Sequence, residues 1–141
     1  MQKNIQNNEN IIFLINTLEK SYLDNNLEKV EVFIEKISTH KDLQKNLDKL
    51  FMVLENNQEI DFWVPWNLIR LLESFYKKWY EEQLLLSLKR KVVFYTLWML
   101  NRLINSSEWI IKDNYKDILK NIVYDKKNSL ELINIWKEFL K

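Results

Sequence analysis

The chain has no glycine and no cysteine, and only one proline and one histidine among its 141 residues. Alanine is missing too. The lack of cysteine excludes disulfides, thiol nucleophiles and thiolate metal sites. Loops that cradle phosphate need residues without a Cβ, so that backbone amides can approach the ligand. Neither the dinucleotide fingerprint nor the P-loop can therefore exist here in standard form. The G-x-S-x-G nucleophile elbow is excluded for the same reason. Tight hairpins favour glycine at positive φ, so a hairpin-rich β fold is disfavoured. Helices joined by polar turns are the natural remaining solution.

Apolar residues make up 47% of the chain and aromatics 13%, too much for a disordered chain and enough for a core without metals or cross-links. Seventeen asparagines are available for turn positions that glycine would otherwise fill. Asn25–Asn26, Asn56–Asn57, Asn105, Asn114 and Asn128 lie between apolar-periodic segments. Asparagine tolerates the left-handed conformation that ends helices. The most apolar stretch, Val92 to Leu100, is far shorter than the about 20 residues a membrane span requires. The early run Ile11 to Ile15 is too short for a signal-peptide core and follows acidic Glu9. A soluble, cytoplasmic protein is expected.

Apolar periodicity predicts an all-α fold of six to eight short antiparallel helices, forming one domain over residues 1–141. The architecture is either an irregular bundle or a short stack of helical hairpins. Ile11, Ile12, Ile15, Leu18 and Tyr22 mark a first helix. Leu27, Val30, Phe33, Ile34 and Ile37 mark a second over Leu27 to Ser38. Leu43, Leu47, Leu50, Phe51 and Leu54 mark a third. Pro65 opens a fourth, with Leu68, Leu71, Leu72, Phe75 and Trp79 inward. A longer helix is expected from Gln83 to Asn105. A short one follows from Trp109 to Lys112, then another capped by Asn114, and a last one capped by Ser129 that carries Leu130, Ile133, Trp136 and Leu140.

No catalytic, cofactor or metal constellation emerges. His40 is alone, so multi-histidine metal sites are excluded, and it reads as a surface or capping residue. Glu81-Glu82 are neighbours on a helix and do not face each other. The chain reads as a non-enzyme.

Charge is distributed unevenly: residues 1–62 carry a net −4 and residues 63–141 a net +5. Asp24, Glu28, Glu31 and Glu35 fall at i, i+4, i+7 and i+11, one row on a continuous helix. Glu55, Glu59 and Asp61 extend the acidic half. Such a row is either a solvated face, with Lys29 and Lys36 compensating, or a surface for a basic partner. The cluster Phe62-Trp63-Val64-Pro65-Trp66 either plugs a gap between helices or supplies Trp63 and Trp66 as anchors in an interface. In the basic half, Lys77-Lys78, Lys89-Arg90-Lys91 and Arg102 are interleaved with Tyr76, Trp79, Tyr80 and Tyr95. That pattern supports an alternative, a nucleic-acid-binding or regulatory adaptor module.

With the row Asp24, Glu28, Glu31 and Glu35 and its all-helical character, the chain resembles the helical immunity proteins of bacterial contact-dependent inhibition and related polymorphic toxin systems. The resemblance implies a protein that binds and neutralises a cognate toxin domain, often a nuclease, inside the producing cell. The implied partner is a basic protein surface, with no cofactor and no membrane involved.

Overall fold

A computed structural model of the chain describes residues 9–57 and 65–125, together with Leu130, Asn134 and Lys137. Among the described residues there are seven α-helices, one 3-10 turn and no strand, so the fold is all-α. Contacts group the chain into two compact units, Met1–Gln83 and Leu84–Lys141, where the sequence predicts one domain.

In the first unit, α1 spans Ile11–Leu23 and α2 spans Leu27–Ser38. Asparagine side chains start both helices. Asn10 Oδ1 accepts from the Ile12 N–H at 2.8 Å, and Asn26 Oδ1 accepts from the Lys29 N–H at 3.2 Å. Each satisfies an amide that the helix itself leaves without a partner. Asn25, between the two helices, has φ 55°, the left-handed role expected of it. The two helices pack together as a hairpin. Ile11, Leu14, Ile15, Leu18 and Tyr22 are buried from α1, and Val30 and Ile37 from α2. Ile12 is only half-buried, while Leu14 takes the core position.

A 3-10 turn, Gln44–Asn46, leads into α3, Leu47–Asn56. All five residues assigned inward here, Leu43, Leu47, Leu50, Phe51 and Leu54, are buried. The fourth helix, α4, spans Trp66–Glu73 with Pro65 at its N-cap. It packs on α2 and α3 through Leu68, Ile69 and Leu72. Phe75 and Trp79 lie beyond its end, and Trp79 is 52% exposed rather than inward. The chain turns there through Lys77 at φ 64° and Trp79 at φ 77°. Glu81 stabilises the turn by accepting the Lys77 N–H at 2.8 Å. Phe51 stacks at a tilt on Tyr80, with ring centroids 6.0 Å apart.

The unit boundary falls inside α5, Tyr80–Arg90. The expected long helix from Gln83 to Asn105 is divided into α5 and α6, Phe94–Ser106. The break is at Lys91-Val92-Val93, where Val93 is extended at φ −127° and ψ 163°. Two consecutive β-branched residues weaken the helix locally. Buried Thr96 captures the freed backbone: its Oγ1 accepts the Val93 N–H at 3.4 Å and donates to the Val93 carbonyl at 3.2 Å. The seventh helix, α7, spans Trp109–Val123 and packs on α6. It continues through Asn114, which caps nothing and lies within the helix. Asn105 is likewise helical. Asn128, Ser129, Ile133, Trp136 and Leu140 lie outside the described residues.

Candidate functional site

The helix α2 positions the acidic row. Glu28, Glu31 and Glu35 are all exposed. At about 100° and 1.5 Å per residue, the three fall within one sector about 60° wide and about 10 Å long. Asp24 is not on this helix. It is the exposed C-cap of α1, and its N–H is directed back to the Lys20 carbonyl. The four-residue row is therefore three carboxylates on α2 preceded by one in the turn.

The lysines of the same helix are held elsewhere. Lys29 Nζ and Lys36 Nζ lie 6.0 and 5.2 Å from the centroid of the Phe33 ring. Lys36 also forms an ion pair with Glu9 at 3.4 Å. The mean direction of Lys29, Phe33 and Lys36 is about 130° round the helix from that of the three glutamates. Among the described residues, no cationic group comes within ion-pair distance of Asp24, Glu28, Glu31 or Glu35.

Exposed aliphatic side chains flank the acidic sector. Leu27 is 50% exposed on one flank and Val32 is 49% exposed on the other. Leu23, just before the turn, is 69% exposed. An acidic strip with apolar borders offers charge for orientation and apolar area for contact.

The remaining residues assigned to a partner-binding surface do not join this one. Glu55 is 5% exposed and engaged within the fold, so it cannot present a carboxylate to a partner. Leu50, Phe51, Val53 and Leu54 are buried around it, and α3 is enclosed on nearly all sides. Trp66 is half-buried at the start of α4. Glu59, Asp61 and Trp63 lie outside the described residues.

In the basic half, Tyr76 and Trp79 are 42% and 52% exposed beside the exposed Lys77 and Lys78. Tyr80 and Tyr95 are 2% exposed and unavailable to a base. Arg102 lies over the Trp98 ring at 5.0 Å, and Lys77 over Tyr76 at 5.6 Å. Lys89, Arg90 and Lys91 instead sit together at the end of α5.

His40 is buried rather than on the surface, but it does act as a cap. The Asp42 N–H donates to its Nδ1 at 3.0 Å, and its Nε2 lies 2.7 Å from the Glu9 carbonyl. Among the described residues no three His, Cys, Asp or Glu side chains are arranged to hold a metal ion, and no helix is long and apolar enough to cross a membrane. Comparison with known proteins finds no matching family model, no matching curated protein and no matching solved structure.

Proposed function

We propose that the chain is a non-enzymatic binding protein whose α2 face, with Glu28, Glu31 and Glu35 at its centre, docks on a basic surface of a partner protein. The observation that carries this reading is the sorting of charge on α2: the carboxylates face solvent in one sector, while Lys29 and Lys36 lie on another side around the Phe33 ring, with Lys36 also paired to Glu9. Glu28 lies in the first turn of α2, where an anion is favourable, but Glu35 lies near the carboxyl end, where it is not. Leu27 and Val32 add apolar contact beside the charges.

Among basic protein surfaces, a nuclease active site is a chemically apt target, because it is built to bind phosphate and a carboxylate strip can occupy it. The proposed role is therefore that of an immunity protein for a toxin domain, as the resemblance in character implies. The test is a pull-down with the product of the gene immediately upstream, followed by binding kinetics. Glu28→Lys, Glu31→Lys and Glu35→Lys together are expected to slow association while the melting temperature stays close to that of the parent. Unchanged association would remove the acidic face from the interface, and the absence of any tight protein partner would end the reading.

A further inference from the structure

The second unit contains a cleft of about 700 Å³ with an apolar floor and a basic rim. Its floor is formed by Leu85, Leu88 and Val92 on one side and by Ile118 and Ile122 on the other. Four of these five side chains, all but Leu88, are only half-buried. The α5 residues recur at i and i+3 and the α7 residues at i and i+4, so each helix presents one aliphatic edge to the cleft. Lys89, Arg90 and Lys91 form the rim, with Asn121 and Asp125 opposite. Lys89 and Lys91 are exposed and form no ion pair among the described residues.

We infer that this cleft binds a single alkyl chain ending in an anionic head group. The volume is within the range of small-ligand pockets, and so is the pattern of an aliphatic floor with a few polar groups at the edge. Lys89 and Lys91, neither ion-paired among the described residues, outnumber the single lining carboxylate, Asp125, and give the rim a positive character that favours an anion and opposes a cation. Lysines near a helix carboxyl end also complement its dipole, but that role needs no aliphatic floor beside them. The lining contains no aromatic ring, so bases have nothing to stack on and nucleic acid is a poor fit. Carboxylate and phosphate heads share this chemistry, and their relative affinities separate them.

The experiment titrates the full chain with dodecanoate, dodecyl phosphate and dodecyltrimethylammonium, each below its micelle concentration, and follows backbone amide shifts. Saturable shifts at Leu85, Val92, Ile118 and Ile122 are expected with the two anions and not with the cation. Lys89→Glu with Lys91→Glu is expected to weaken anion binding about tenfold, and both sites are exposed, so the fold should survive. Equal binding of the cationic amphiphile, shifts confined to residues outside the cleft, or no saturable shift would each overturn the inference. The outcome is independent of the α2 reading, because no α2 residue lines the cleft.

Discussion

His40 and Glu9, 31 positions apart in sequence, are joined by a 2.7 Å contact between Nε2 and the Glu9 carbonyl oxygen. The Asp42 N–H donates to the other ring nitrogen, so Nδ1 must be an acceptor and Nε2 must carry the hydrogen. Glu9 also holds Lys36 through its carboxylate. One residue ahead of α1 therefore fixes both the last turn of α2 and the junction that follows it.

Substituting His40 by Ala removes both bonds from a buried position and leaves the Asp42 amide without its partner. A loss of about 1–3 kcal/mol is expected in denaturant unfolding. Long-range nitrogen–proton correlation of the ring at alkaline pH is expected to show the Nε2–H tautomer. An Nδ1–H signature would contradict the geometry.

Removing the Glu9–Lys36 pair has a smaller expected effect. The two side chains are 32% and 38% exposed, so solvent screens their attraction. Glu9→Gln is expected to change stability by less than about 1 kcal/mol, measured in the same unfolding assay.

The glycine-free composition carries a conformational cost at Lys77, where φ is 64°. A side chain with a Cβ is disfavoured there by roughly 1–2 kcal/mol. Lys77→Gly is expected to stabilise the chain by about 0.5–1 kcal/mol, since glycine's greater freedom when unfolded offsets part of the relief. The hydrogen bond to Glu81 uses the backbone amide and survives the change. A lower unfolding midpoint would mean that this turn does not need a left-handed residue.

The break between α5 and α6 depends on Thr96. Thr96→Val keeps the shape but removes the oxygen that accepts from Val93. A loss of about 1 kcal/mol is expected, with faster hydrogen exchange at the Val93 amide. Unchanged exchange would show that the amide finds another acceptor.

If the α2 face steers a basic partner, association slows as salt rises, while dissociation changes much less. The Glu28→Lys, Glu31→Lys and Glu35→Lys variant is expected to lose most of that salt dependence. Stopped-flow mixing across ionic strengths measures both.

Sequence periodicity placed the helices of the first unit better than their core: of the α2 stripe Leu27, Val30, Phe33, Ile34 and Ile37 only Val30 and Ile37 are buried, and Leu27 is exposed. The bounds of α2, Leu27–Ser38, match its apolar spacing, and Asn25 and Asn26 take the turn and cap roles their chemistry suggests. Periodicity was blind to the break between α5 and α6, where Val92-Val93 leave the helix and Thr96 bonds the freed backbone. Val92 to Leu100 is apolar apart from Thr96 and the Tyr95 hydroxyl, and apolar spacing alone does not mark the break at which Thr96 bonds the Val93 backbone. It was also blind to Glu55, since α3 is surrounded on several sides and acidic character alone does not report burial. The turn at Lys77 and Trp79 escaped because aromatic spacing imitates a helix stripe. The charge row was legible, but the capture of Lys29 and Lys36 by Phe33 was not, because it depends on side-chain direction.

That capture turns α2 into a small electric rotor arm, negative along one side and positive along another. A charged object nearby exerts a torque on it before any atoms meet. At physiological ionic strength the alignment begins within about 8 Å, so its final approach would already be oriented. Replacing Phe33 by Leu would take the ring from under Lys29, while Lys36 keeps its pairing with Glu9, and the arm would lose part of its lever.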